Sequence, residues 1–225
     1  MDDLQRSWDA NARAWCEAVR EGKIESRRVA TDAAIVDAVM SVDPERVLDL
    51  GCGEGWLARQ LAARGIAVTG VDASAELIRA ANELGGGSFH ALPYERLAAA
   101  EELLKAPFDV AVANFAILHE DSRPLLTDVA RMLAVTGSLI IQTLHPAFAS
   151  GDEPYADGWR TETFAGIEAP WGAPMPWYFR TISSWVRELT ASGFTIAEVR
   201  EPSDADRARP LSMIVICRAA AGWSA

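Results

Sequence analysis

Residues 47–55 read Val-Leu-Asp-Leu-Gly-Cys-Gly-Glu-Gly: an apolar run, an acidic side chain, then glycine at positions 51, 53 and 55. Residues of these types at this spacing hold ligands through the backbone. The apolar strand brings the chain to a sheet edge, and the glycines permit a sharp turn with no side chain between backbone and ligand. Helix-forming residues resume over 56–64. A nucleotide-like ligand is expected at such a turn. The dinucleotide pattern G-x-G-x-x-G requires glycine at 51, 53 and 56, but position 56 is Trp. Asp49 also sets a carboxylate two residues before the first glycine, where a pyrophosphate would already be negative. A cationic ligand suits the turn better.

A second acidic residue stands where a nucleoside needs one. Residues 66–71, Ile-Ala-Val-Thr-Gly-Val, read as a strand ending at Asp72, 21 residues after Gly51. A carboxylate at a strand tip accepts hydrogen bonds from both ribose hydroxyls, about 1.5 to 3 kcal/mol each when the acceptor is charged. Taken alone, Asp72 also fits a turn or a cap, and Ser74 is placed to cap the helix that follows. S-adenosylmethionine carries a sulfonium and an ammonium but no phosphate, which matches an acidic residue beside a glycine turn. The spacing D-x-G-x-G-x-G resembles the first motif of class I S-adenosylmethionine-dependent methyltransferases. The resemblance implies that Asp49, Gly51, Cys52, Gly53, Asp72 and Ala73 bind this cofactor.

Composition narrows the alternatives. The 225 residues include 21 basic and 32 acidic ones, a net charge of −11, and half are apolar. That is enough for a substantial core, with no run near the roughly 18 apolar residues of a membrane span. Nucleic-acid binders cluster Lys and Arg, and only short pairs such as Arg27-Arg28 occur here, so DNA and RNA are not expected as partners. Cys16, Cys52 and Cys217 are odd in number and lack metal-ligand spacing, which suits a reducing compartment and predicts neither a disulfide nor a metal site. The acidic, polar N-terminus shows no secretory signal, and a cytoplasmic protein is expected.

Around the glycine turn, strand and helix signals alternate. Leu57 and Leu61 share one face of a helix stopped by Gly65, and Leu77, Ala81 and Leu84 share one face of the next. A short strand is expected over 88–92, a helix over 94–105, and a strand buried on both faces over 108–114. The Asp121-Ser122 pair caps a further helix ending near Ala134, and a fifth strand runs over 138–143. Such alternation predicts a parallel sheet with helices on both faces and a crevice at the carboxyl ends of its strands.

The resemblance extends over residues 46–145 and, loosely, 180–218. Residues 108–120 are similar to the family's fourth-strand segment, and 131–133 with 136–141 to its turn into the fifth strand, although Val135-Thr136 stands where Lys-Pro is more usual. In the family the last two strands form a hairpin, the final one antiparallel; 194–200 and 211–218 fit that role, joined by a polar loop over 202–210. The implied fold is α/β: a seven-stranded Rossmann-like methyltransferase sheet, mostly parallel with an antiparallel last strand, helices on both faces. A single domain over 1–225 carries an N-terminal helical cap over 1–45 and an aromatic-rich insertion over 146–180.

The resemblance also distributes the remaining roles. His90, Ala91 and Leu92 would lie beside adenine, and Asn114, Phe115 and Ala116 would line the methionine side, although Phe115, Ile117 and Leu118 equally fit helix packing. Arg28 would reach the cofactor carboxylate if the N-terminal segment, with Trp8, Trp15 and the amphipathic stretch 29–40, covers the cofactor; packing on the outer sheet is the competing reading. His119 and His145, each at a strand end, are candidate general bases, with a structural hydrogen-bonding role as the alternative for both. Between Pro146 and Arg180 lie Phe148, Tyr155, Trp159, Phe164, Trp171, Trp177, Tyr178 and Phe179. An insertion above the strand ends with this many rings would be a lid that stacks on a flat or lipophilic acceptor. Otherwise it is a loop anchored by its rings. The expected activity is in-line methyl transfer from S-adenosylmethionine to a small organic acceptor. A protein methyltransferase or a catalytically silent cofactor-binding module is the alternative, with a nicotinamide-dependent oxidoreductase behind both. Phe115 and Ala116 after Asn114, in place of Pro-Pro, argue against an amide or nucleobase nitrogen as acceptor.

Overall fold

Consecutive parallel strands must be joined by a crossover, and amphipathic helices supply it. The structure, a computed structural model, describes residues 3–204 and 209–219. In chain order its elements are α1 (Asp3–Arg20), α2 (Asp32–Met40), β1 (Arg46–Leu50), α3 (Trp56–Ala62), β2 (Ala67–Asp72), α4 (Ala75–Leu84), β3 (Ser88–Ala91), α5 (Glu101–Leu104), β4 (Phe108–Asn114), α6 (Arg123–Met132), β5 (Leu133–Leu144), α7 (Pro146–Ala149), β6 (Gly158–Glu162), β7 (Met175–Phe179), α8 (Ile182–Ala191), β8 (Phe194–Arg200), β9 (Ser203–Asp204), β10 (Arg209–Pro210) and β11 (Ser212–Ala219). Seven strands form the main sheet in the order β3-β2-β1-β4-β5-β11-β8. The pairs from β3 to β5 are parallel, and β11 runs antiparallel to both β5 and β8. This is the expected sheet, including its antiparallel last strand.

Alternation along the central strands divides the core in two. Leu48, Leu50, Ala111, Ala113, Leu139 and Ile141 face one layer, where Leu126, Val129, Trp185 and Leu189 of α6 and α8 cover them. Val47, Val110, Val112 and Ile140 face the other, under Ile35, Val39, Leu57 and Leu61 of α2 and α3. A parallel sheet covered on both faces accounts for strands that read as unbroken apolar runs. Among the described residues no helix is long and apolar enough to cross a membrane.

Several local expectations are corrected. The helix expected over 94–105 is broken into 3-10 turns at Tyr94–Arg96 and Ala98–Ala100 and the one-turn α5. The fifth strand starts at Leu133, directly after α6, rather than at Ser138. The Ser74 and Ser122 hydroxyls are buried and make no cap bond. Asp72 and Asp121 accept instead from the amides two residues on, Ser74 N at the α4 cap and Arg123 N at the start of α6, because a carboxylate is the stronger acceptor. The polar loop over 202–210 holds the short β9-β10 pair; its positions 205–208 lie outside the described residues, as do Met1 and Asp2.

The N-terminal and aromatic segments are the larger surprise. Within 1–45, α2 packs on the sheet, whereas α1 lies apart from it and meets α4 and β7. The insertion over 146–180 is partly regular: β6 and β7 form an antiparallel hairpin. Its rings pack on one another, Phe164 stacked on Trp171 at 3.9 Å and Tyr155 edge-on to Phe179 at 5.9 Å. Leu4 and Trp8 of α1 pack with Phe164, Trp171, Met175 and Leu118 in a small third core.

Candidate active site

β1 delivers the chain to the carboxyl edge of the sheet, and residues 51–55 turn there before α3 begins. Gly51, Gly53 and Gly55 hold φ of +65°, +57° and +82°, a left-handed backbone that glycine alone adopts without strain. Space enforces the same choice at Gly51. A Cβ there would lie 2.5 Å from Ala116 Cβ and 2.8 Å from Tyr94 Oη. The turn is locked to the tip of β2: Gly53 N donates to Asp72 Oδ2 at 2.9 Å, while Ser74 N donates to Oδ1 at 2.8 Å. Glu54, 1% exposed, is held by Arg59 on α3 at 2.7 Å and by Arg20 at the end of α1 at 3.1 Å. The glycine turn thereby fixes one end of α1.

A cavity of about 740 Å³ opens between this turn, the strand tips and α1. Its size lies in the range of small-molecule sites. Its floor and walls are Gly51, Gly53, Asp72, Ala73, Glu76, Pro93, Tyr94, Glu95, Asn114, Phe115, Ala116 and His119, and its roof is Leu4, Gln5, Trp8, Asp9 and Trp15 of α1. Trp8 and Trp15 meet edge-to-face at 5.2 Å. Four carboxylates and no Lys or Arg line the cavity among the described residues. It is therefore a site for a ligand that is neutral or positive where it meets protein.

Burial sharpens that character. Asp49 is 1% exposed beneath the turn, and Oδ2 has no hydrogen-bond partner. Burial, and then the Asp72 charge, push its carboxyl up to about 8. Burial also raises Asp72, against the pull of the Ser74 and Gly53 amides, and the Asp9 charge adds to the rise. The Tyr94 phenol is pushed well above its usual range by burial and by Asp72 and Asp49; its hydroxyl donates to Ala116 O at 3.3 Å. At the tip of β4, Phe115 takes φ +55° and donates its N–H to Gln142 O at 2.8 Å, and the Asn114 Oδ1 beside it is buried without a partner. A left-handed Phe at a strand tip is a strained conformation held by its surroundings, of the kind that collects at binding sites.

Of the residues singled out in the sequence, the structure brings Gly51, Gly53, Asp72, Ala73, Asn114, Phe115, Ala116 and His119 onto this cavity. Asp49 and Cys52 lie behind the turn, with Cys52 Sγ 2.8 Å from the Cβ position of Gly70. His90, Ala91 and Leu92 are not on the wall. β3 ends at Ala91, Leu92 turns into the core, and the residues after it, Pro93 to Glu95, take the wall position. Arg28 is exposed in the π-helical turn before α2, away from the cavity. His145 is buried elsewhere, with Nε2 2.7 Å from Glu201 Oε1 and its ring against Phe148.

The insertion expected to be the lid places none of its rings on the cavity wall. It braces the helix that does. Asn11 of α1 accepts from Gly172 N at 2.8 Å and Ala173 N at 3.2 Å and donates to Ala173 O at 2.8 Å, and Ser7 Oγ donates to Pro174 O. Arg180, at the end of β7, donates to the carbonyls of His119 and Glu120 and so fixes the loop carrying His119. Asp9, Tyr94 and Glu95 were missed as site residues, while Trp8 and Trp15 were placed only as part of an N-terminal segment that covers the cofactor or packs on the outer sheet. The pattern Leu-Pro-Tyr directly after the third strand was the available signal for Tyr94; α1 offered none, since an amphipathic helix does not state which surface it covers.

Comparison with known proteins agrees with this geometry. A family model described as a methyltransferase domain matches residues 47–137. An uncharacterized methyltransferase of Schizosaccharomyces pombe is 30% identical over 176 residues, 75% of this chain and 66% of that protein. A ubiquinone biosynthesis O-methyltransferase of Xylella fastidiosa is 35% identical over 115 residues, 49% of this chain and 46% of that one. The chain thus spans less than two thirds of the length of these curated relatives. Among solved structures, a methyltransferase from Listeria monocytogenes described as dependent on S-adenosylmethionine superposes with a TM-score of 0.65 at 21% identity, covering 83% of this chain and 96% of that one.

Proposed function

We propose, from the premise that the chain belongs to the class I S-adenosylmethionine-dependent methyltransferase family, that it transfers the methyl group of that cofactor to a small organic acceptor. One observation carries the reading: a glycine turn tied through Gly53 N to Asp72, opening on a cavity with four carboxylates and no basic side chain. The residues present fit the cofactor. The turn has no room for a Cβ at Gly51, and the buried, unpartnered oxygens of Asp49 and Asn114 await donors or a positive charge.

When bound, S-adenosylmethionine supplies a methyl group activated by a sulfonium. The chain's own work is placement and desolvation. Asp72 would hold the ribose hydroxyls, with Gly51 and Gly53 allowing the backbone to approach. Asn114 and Ala116 would face the methionine side, and Pro93 to Glu95 the adenine side. α1, with Trp8 and Trp15, closes water out. Holding nucleophile, carbon and sulfur in line in such a site contributes about 7 to 11 kcal/mol of the barrier reduction. His119 is the one imidazole on the wall and would take the proton from an acceptor hydroxyl or amine, an effect of about 10² to 10⁴-fold. His145, bound to Glu201 away from the cavity, has a structural role.

The acceptor is small because the cavity is roofed by α1, and the likeness to an O-methyltransferase supports a hydroxyl nucleophile over a protein one. The rings that would stack on it are Trp8, Tyr94 and Phe115 rather than those of the insertion. The three cysteines, all free, support a cytoplasmic setting. Calorimetry with S-adenosylmethionine and with NADH tests the cofactor: binding of the first alone is expected, and binding of NADH alone sinks the reading. Release of S-adenosylhomocysteine is then measured with a panel of small hydroxylated and amine compounds and with a protein extract. Turnover confined to the extract would transfer the assignment to a protein methyltransferase.

A further inference from the structure

Asp9 and Asp72 enter the same cavity from opposite sides, Asp9 from the α1 roof and Asp72 from the tip of β2. Among the described residues neither forms an ion pair. Asp9 Oδ1 accepts from Gln5 Nε2 at 3.1 Å on its own helix, and the Asp72 oxygens accept from two backbone amides. Both carboxylates line this one cavity, and the Asp9 charge adds to the rise that burial gives the Asp72 carboxyl. Glu76 and Glu95 add further negative charge to the wall, and the unpartnered Asp49 oxygen lies buried behind it.

Like charges held face to face in a desolvated gap repel, and surface side chains relieve this by swinging apart. The helix that carries Asp9 cannot move away as a whole. Two residues further along α1, Asn11 binds the backbone of Gly172 and Ala173, and Arg20 at its end is paired with buried Glu54. The helix that carries Asp9 is therefore fixed over a cavity whose lining holds no Lys or Arg among the described residues, and a cation entering it meets both carboxylates.

We propose that Asp9 is a cofactor-selecting residue, whose carboxylate on the roof favours the sulfonium form of the adenosyl ligand over its uncharged thioether product. The proposal rests on the methyltransferase reading above. The methyl donor carries one more positive charge than S-adenosylhomocysteine, so a carboxylate lining the same cavity attracts the donor more strongly than the product. Product release is thereby aided by the same charge that captures substrate.

The test is calorimetric affinity of the full chain for S-adenosylmethionine, S-adenosylhomocysteine and sinefungin, which carries an amine in place of the methylated sulfur. The wild-type chain is expected to bind the two cationic ligands more tightly than S-adenosylhomocysteine. Asp9→Asn is expected to weaken both cationic ligands about five- to tenfold and S-adenosylhomocysteine less than twofold, with Asp9→Glu restoring the preference. Equal weakening of all three ligands by Asp9→Asn, or no change in any, overturns the proposal and leaves the methyltransferase reading standing. A wild-type chain that binds none of the three overturns that reading instead.

Discussion

On the proposed function, Asp72 does two jobs with one carboxylate. Its oxygens already hold Gly53 N and Ser74 N, and the remaining lone pairs face the cavity. Asp72→Ala therefore loses the ribose acceptor and loosens the turn together, and its S-adenosylmethionine affinity by calorimetry is expected to fall at least about 100-fold, from two charged hydrogen bonds of 1.5 to 3 kcal/mol each. Asp49 is a proton store. Its carboxyl, raised from 3.8 to about 8, keeps its proton in the folded chain while the unfolded chain releases it. The stability it contributes is complete below about pH 4 and is lost as pH rises through 8. Asp49→Asn is thus expected to flatten the fall of Tm between pH 5 and 9. A bound sulfonium or ammonium favours the ionised form, so cofactor binding at pH 7 releases a proton. Titrations in buffers of different ionisation enthalpy detect it, and equal apparent enthalpies would refute it. The glycines, Asp72 and Asn114 were legible in the sequence because their chemistry is local: a turn, a strand tip, a fixed spacing. Asp9 and Tyr94 were not, because only the folded chain brings residues so far apart in sequence to one cavity.

At the scale of elements, the roof is the part that was hardest to foresee and is simplest to test. The strands were legible because Val, Ile and Ala runs buried on both faces have few other uses. The hairpin of residues 158–179 was not, because its two strands are separated by an irregular stretch and lack the alternation that marks a half-buried pair. Its rings were read as facing a ligand, whereas they face one another and Leu4 and Trp8 of α1. α1 depends on that brace through fully buried Asn11. Asn11→Ala leaves the Gly172 and Ala173 amides without their acceptor at a cost of about 1 to 3 kcal/mol. The expected result is a lower Tm, faster hydrogen exchange across α1 and weaker cofactor binding. Gly172→Ala acts on the same joint from the other side, since a Cβ there would stand 2.6 Å from Ala10 O. Trp159→Ala, half exposed and off the cavity wall, is expected to leave cofactor affinity unchanged.

The whole molecule places the cavity where the topology makes room and surrounds it with negative charge. β1 leads right-handed crossovers to β2 on one side and, by way of β3, to β4 on the other, so the connections diverge above β1 and leave a crevice at its carboxyl end. A chain of net charge −11 around an acidic crevice attracts a cationic ligand over a distance set by salt. The screening length shrinks from about 30 Å at 0.01 M to about 8 Å at 0.15 M. The association rate of S-adenosylmethionine, followed by quenching of the Trp8 and Trp15 fluorescence, is therefore expected to drop severalfold over that range. S-adenosylhomocysteine, of the same shape without the sulfonium charge, is expected to drop far less. The contrast separates steering by charge from a salt effect on the protein itself, which would slow both ligands alike. If both slow equally, the acidic balance of the chain serves solubility and the carboxylates act only at contact range.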